Sequence, residues 1–171
     1  LEWLTQMKNN NGFTLIELLI VLAIISILAV GATAGIRLIS GGSSKQAAQK
    51  IMNALDQVRM ENMTRSESFS LTISKAGEMS KEYSLVIYRD TVILSSQKLE
   101  LVGGSISYET VDGEMIELGS SKKLEISFRK DTGGIRENSE GKIPSRIIIN
   151  GSDDTVIIRL ATATGKSFIE K

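Results

Sequence analysis

The hydrophobic pattern changes period twice along the chain. Residues 13–36 read FTLIELLIVLAIISILAVGATAGI, apolar at nearly every position, with Glu17 as the one charge and no proline. A helix that is apolar on every side has no solvent face. At 1.5 Å per residue this one would span about 36 Å, enough for roughly 30 Å of hydrocarbon. A buried core helix of that length would carry a polar stripe, and none is present. The segment therefore reads as a transmembrane helix or as a processed signal.

Downstream the spacing becomes amphipathic. Gly41 and Gly42 are expected to interrupt or loosen the helix, at about 1 kcal/mol each relative to alanine, with Ser43 or Ser44 placed to cap a restart. Ala47, Ile51, Leu55, Val58 and Asn62, flanked by Ala48 and Met52, then recur at threes and fours. Residues 37–65 are thus predicted to continue the N-terminal helix, with an apolar face for a sheet. A helix lying on a membrane surface is the alternative.

From residue 66 the period falls to two. Tyr83, Leu85 and Ile87 alternate with Ser84, Val86 and Tyr88, and Leu124, Ile126 and Phe128 with Glu125, Ser127 and Arg129. These are half-buried strands. Further strands are predicted at 71–74, 91–94, 105–110, 146–150 and 155–161, separated by turn sequences such as Lys130-Asp131-Thr132-Gly133-Gly134 and Asn150-Gly151-Ser152-Asp153-Asp154. The predicted class is α+β: a long N-terminal helix, transmembrane in its first half, packed on an antiparallel β-sheet domain over residues 66–171.

Composition removes several functions. Twenty Lys+Arg balance twenty Asp+Glu, and there is no His and no Cys. A neutral chain without a basic block lacks the footprint of a nucleic-acid protein. Zinc sites built on Cys or His, triads with a His base, thiol redox chemistry and disulfides are excluded. No cofactor is expected. Asp153 and Asp154 are weak calcium candidates, but a calcium cage takes six to eight oxygens, so solvated turn residues are the simpler reading.

The apolar segment admits three fates. It can stay as an uncleaved anchor, or be removed as a signal peptide at the small-x-small site Ala32-Thr33-Ala34 before Gly35. Against the second, its apolar core is longer than the usual one and contains Glu17. The third fate places a cut before the helix, at the polar junction Lys8-Asn9-Asn10-Asn11-Gly12.

Gly12-Phe13-Thr14-Leu15-Ile16-Glu17, followed by some twenty apolar residues, resembles the processing site of bacterial type IV pilins and pseudopilins. The resemblance implies that a prepilin peptidase cleaves between Gly12 and Phe13 and methylates the new amino terminus. Residues 1–12 would be the leader and 13–36 the transmembrane and assembly helix. A start at Met7 would give the short leader MKNNNG that suits the family better. It also implies assembly with other pilins or pseudopilins into a helical filament through an inner-membrane platform, after storage in lipid. The N-terminus would lie inside and the β-domain outside the cytoplasm.

Glu17 fits that picture physically. A carboxylate at the bilayer centre costs about 2.5–3.5 kcal/mol. Glu17 lies four residues from Phe13, about 6 Å along the helix, and a cut after Gly12 creates an ammonium for the glutamate of another subunit to meet. The family assigns this glutamate to subunit docking; snorkelling to the interface is the alternative.

Within the family, Ala54 to Ile73, Lys123 to Ile135 and Thr155 to Phe168 resemble the H-type minor pseudopilins and FimT-like minor pilins. Many pilins have proline where Ala34 stands, and many carry a C-terminal disulfide; neither is possible here. The implied role is a minor pilin or pseudopilin, a structural subunit and not an enzyme, serving secretion, DNA uptake or attachment. Two other classes compete. An anchored or secreted binding module would use a basic surface such as Lys122, Lys123, Arg129 and Lys130. An enzyme would use the carboxylates Glu109, Asp112, Glu114 and Glu117.

Overall fold

The computed structural model describes residues 15–77, 80, 82–101, 103–152 and 154–170, with side chains at all of these except 27–42. Among the described residues the elements are one helix, α1 (Leu15–Thr64), and nine strands. The strands are β1 (Phe69–Lys75), β2 (Glu82–Arg89), β3 (Val92–Glu100), β4 (Ser105–Thr110), β5 (Met115–Glu117), β6 (Leu124–Ser127), β7 (Pro144–Asn150), β8 (Thr155–Ala161) and β9 (Lys166–Glu170). The chain separates into two units, Leu1–Arg37 and Leu38–Lys171.

In the first unit every described side chain of α1, from Leu15 to Ser26, is exposed. The expected crossing at 13–36 extends beyond these side chains. Among the described residues no helix is long and apolar enough to cross a membrane.

The second unit holds the core. Ala47, Ala48, Ile51, Leu55, Val58 and Asn62 are buried, so the stripe read from the sequence is the face that joins the strand side chains in one apolar cluster, with Met52 half-buried at its margin. Gly41 and Gly42 do not interrupt α1. Their cost is small beside the burial of the turns that follow, at about 25 cal/mol per Å² of apolar surface. Ser44 is not a cap either: it lies within the helix and is fully buried.

The strands form two antiparallel sheets rather than the single sheet expected, in the orders β3-β2-β1-β6 and β5-β4-β7-β8-β9. Register lines up the apolar positions in rows. Leu71 stands between Ile87 and Ile126, and Ile73 between Leu85 and Leu124. In the other sheet Ile147 stands between Tyr108 and Ile158, and Ile149 between Ile106 and Val156. All of these are buried, which fixes the register, because a slip of one residue would turn each row to solvent. Two bonds stitch the sheets together: the Ile106 amide donates to Tyr83 Oη at 3.2 Å, and the Ile135 amide donates to the Thr162 carbonyl at 2.8 Å.

Alternation located most strands but missed two and shortened three, β1, β7 and above all β3. β5 is three residues long and β9 is exposed at nearly every position, so neither shows a burial period. β3 runs on from Leu94 through Ser95, Ser96, Gln97 and Lys98; pairing with β2 defines it, not hydrophobicity. At the turns after β6 and β8, Gly133 and Gly165 both have positive φ, and a Cβ on Gly165 would sit 2.0 Å from the Gly133 carbonyl oxygen. Only glycine fits that approach.

One polar side chain ties helix to sheet. Asn62, 2% exposed, donates to the Val58 and Phe69 carbonyls at 3.0 and 2.7 Å and accepts from the Phe69 amide at 3.0 Å. It therefore sets where β1 leaves α1. Replacing Asn62 with Ala should leave the Phe69 groups unsatisfied in the core and destabilise the sheet unit by about 2–3 kcal/mol. Urea unfolding of the detergent-solubilised chain, followed by tryptophan-independent circular dichroism in the strand region, measures it.

Candidate functional site

The site read from the sequence is the amino terminus. Gly12 and Phe13 lie outside the described residues. Glu17 lies in the first turn of α1 and is exposed, where the unpaired amides at a helix start favour a negative charge. Around and beyond it, Leu15, Ile16, Leu18, Leu19, Ile20, Val21, Leu22, Ile24 and Ile25 are 49–78% exposed. Consecutive positions on a 3.6-residue period point in all directions, so the whole circumference is apolar and open. Ser26, the one hydroxyl in this stretch, donates to the Leu22 carbonyl at 2.7 Å and so adds no outward polar group. Such a surface calls for lipid or other apolar helices around it.

The prokaryotic N-terminal methylation motif matches residues 7–33. It takes in Met7, Gly12, Phe13, Glu17 and most of the apolar helix. That motif supports the resemblance of the amino-terminal segment to type IV pilins and pseudopilins. No curated protein and no solved structure matches it. The motif implies processing by a prepilin peptidase, assembly with other pilins, and a protein that is membrane-anchored or pilus-associated. Proteins that carry this motif are structural subunits, not enzymes.

The remaining candidates fall into ordinary surface and core roles in the sheet unit. Glu109 pairs with Arg146 at 3.1 Å and Glu114 with Lys142 at 3.0 Å, while Asp112 and Glu117 are exposed. The four carboxylates are therefore split between basic partners and solvent and do not converge as an acid/base pair. The basic residues are divided as well. Lys123 faces Glu125, and Lys130 donates to the Ser66 carbonyl. Arg129 and Lys130 share an open polar cleft of about 670 Å³ with Asp131, Arg136, Glu137 and Asn138, so acids and bases are mixed there.

Asp131 in that cleft accepts from the Thr132 amide at 2.8 Å, and this bond, with Arg129 nearby, holds its carboxyl below the ordinary carboxylate range. A lowered value means that the contribution to the turn is present at neutral pH and disappears as pH falls through it.

Of the calcium candidates, Asp153 lies outside the described residues. Asp154 is not the solvated turn residue expected. Its Oδ1 accepts from the Ser44 hydroxyl, its carbonyl accepts from the Gly151 amide at 2.7 Å, and its Oδ2 is shielded from water. No group of three or more acidic residues suited to a metal occurs among the described residues. The Asn150–Asp154 turn instead fastens the β7–β8 hairpin to α1, a contact across 110 positions that no local pattern encodes.

The fastening predicts a coupled pair. Ser44→Ala and Asp154→Ala should each cost about 1–3 kcal/mol, since each strands a buried partner. The double variant should cost clearly less than their sum. Denaturant midpoints of the four chains measure the cycle.

Proposed function

We propose that this chain is a minor filament subunit, cut between Gly12 and Phe13, methylated on Phe13, held in the inner membrane by residues 13–36 and then drawn into a pilus or secretion-type pseudopilus. The observation that carries the reading is the start of α1, apolar around its circumference apart from Glu17 and exposed, within the motif itself. In lipid that surface is solvated by acyl chains, and in a filament by the same surface of neighbouring subunits. Both states satisfy one helix without change of sequence.

Residues 1–12 are the leader on this reading, residues 37–65 the helix that carries the sheet domain, and residues 66–171 the extracytoplasmic part. Glu17 is the docking group: it meets the Phe13 ammonium of another subunit in surroundings where an unpaired carboxylate is costly. The H-type minor role is supported by the way α1 runs through Asn62 into β1, and by the glycine turn that closes Lys123–Ile135. The assembly platform and the other pilins of the filament are its partners.

Two measurements test the proposal. In cells with a prepilin peptidase, the mature chain should begin with N-methylated Phe13 by intact mass and N-terminal fragmentation; a terminus at Gly35 or an intact leader would sink it. Glu17→Val should leave that terminus in place and lower the amount of chain in purified filaments by tenfold or more. Normal incorporation of the variant would remove the docking role.

A further inference from the structure

The last strand of the sheet unit has a free edge, and a groove runs along it. β9 is the outer strand of the five-stranded sheet and, among the described residues, pairs with β8 alone. In an antiparallel pair the N–H and C=O of alternate residues point away from the partner, so along β9 these groups have no ladder to join. Such an edge is a template for one more strand.

Register gives that edge two unlike sides. Ser167 and Ile169 pair with Leu160 and Ile158, whose buried side chains share one core with the α1 stripe, and so lie on the α1 side. Lys166 and Phe168 pair with Ala161 and Arg159 and lie on the opposite side. The end of α1 supplies the second wall. Met60 and Met63, 66% and 43% exposed, line a space of about 640 Å³ together with Phe168. The two walls are fastened to each other. Arg59 Nε donates to the Thr164 carbonyl at 2.7 Å, just before β9, and Met63 packs so closely on the Gly133 turn that a Cβ there would come within 2.7 Å of its sulfur.

The charges around the groove are unequal. Arg59 and Lys166 belong to its lining, and Arg159 stands one strand further in, opposite Phe168. None of these three cations has an ion-pair partner among the described residues, whereas Glu170 at the far end of β9 is held by Arg146, which also engages Glu109. Asp56 is the one acid of the lining.

We propose that this groove takes up an extended segment of a partner protein, one that alternates apolar and acidic residues and adds to β9 as a further strand. The open ladder selects an extended chain, because a helix has no free backbone groups to offer along its length. Successive side chains of a strand point to opposite faces. Half of them therefore enter the α1 side, where Met60 and Met63 adapt to apolar groups of varied shape. The other half lie beside Lys166 and Arg159, where a carboxylate finds a cation without a partner. Lys166 thus closes the edge to a basic strand and leaves it open to an acidic one. Binding of this kind needs no filament, so its failure and the failure of the filament reading are separate results.

The test uses the full chain in nanodiscs of phosphatidylcholine, which carries no net charge, and the fluorescence anisotropy of labelled synthetic peptides long enough to cover the five residues of β9. One peptide alternates valine and glutamate and a second valine and lysine; two more are the valine–glutamate peptide N-methylated on its odd or on its even residues. The valine–glutamate peptide should bind, more weakly as salt rises, and the valine–lysine peptide at least tenfold more weakly. One N-methylated form should lose tenfold or more and the other should not, since only one set of amides faces β9. Lys166→Glu with Arg159→Glu, both exposed, should reverse the order of the two charged peptides, and Met60→Glu should abolish binding of the acidic one. Equal binding of acidic and basic peptides would overturn the choice of partner. Equal binding of the two N-methylated forms would mean docking by side chains, as by a helix, and would overturn strand addition. Full binding to the Met60→Glu chain, or binding of no peptide, would overturn the site.

Discussion

The rest of the molecule depends on one constraint: the start of α1 is apolar on every side and must never face water for long. Each exposed leucine or isoleucine left in water forgoes roughly 1.5–3 kcal/mol of burial, and nine large apolar side chains of the described part are in that position. No rearrangement of one helix can hide a full circumference. The solution has to come from outside the chain, from an apolar surrounding such as lipid or other apolar helices. The processing motif at residues 7–33 overlaps this same segment, and on the proposed reading a cut after Gly12 would leave a charged end near Glu17.

The sheet unit answers the opposite requirement. It has to fold by itself and stay soluble on the outside while being carried by a helix that is not. Its core is complete within residues 38–171: the helix stripe from Ala47 to Asn62 and the inward rows of both sheets form one buried cluster. Asn62 and the Ser44–Asp154 bond fasten the helix at two levels, one at the exit into β1 and one at the β7–β8 turn. Polar groups do this work better than apolar ones would, because a buried bond tolerates only one register whereas apolar contacts slide.

How much of this could be read from the chain follows from the range of each interaction. The apolar helix, the stripe at 47–62 and strands such as Tyr83–Ile87 are local periods, and they are visible in the sequence. The division into two sheets is not, because β4 pairs with β7 across some forty residues and nothing near either strand names the other. β9 was missed because it is exposed at nearly every position and so carries no burial period. The Gly41-Gly42 break failed because propensity is a weak term that burial of the turns that follow overrides. At the candidate site Glu17 stood out as the single charge in an apolar run, whereas Ser44 and Asp154 looked like a cap and a solvated turn. Their partnership exists only once the fold brings them together.

Edges and charge then decide how such a unit meets its neighbours. A protein that stays alone guards its edge strands with lysine, proline or a covering loop. β3 has Lys98 and its charged flanks at the hairpin turn, yet Val92, Ile93 and Leu94 are left open. With equal numbers of acids and bases in the whole chain, no long-range repulsion keeps copies apart.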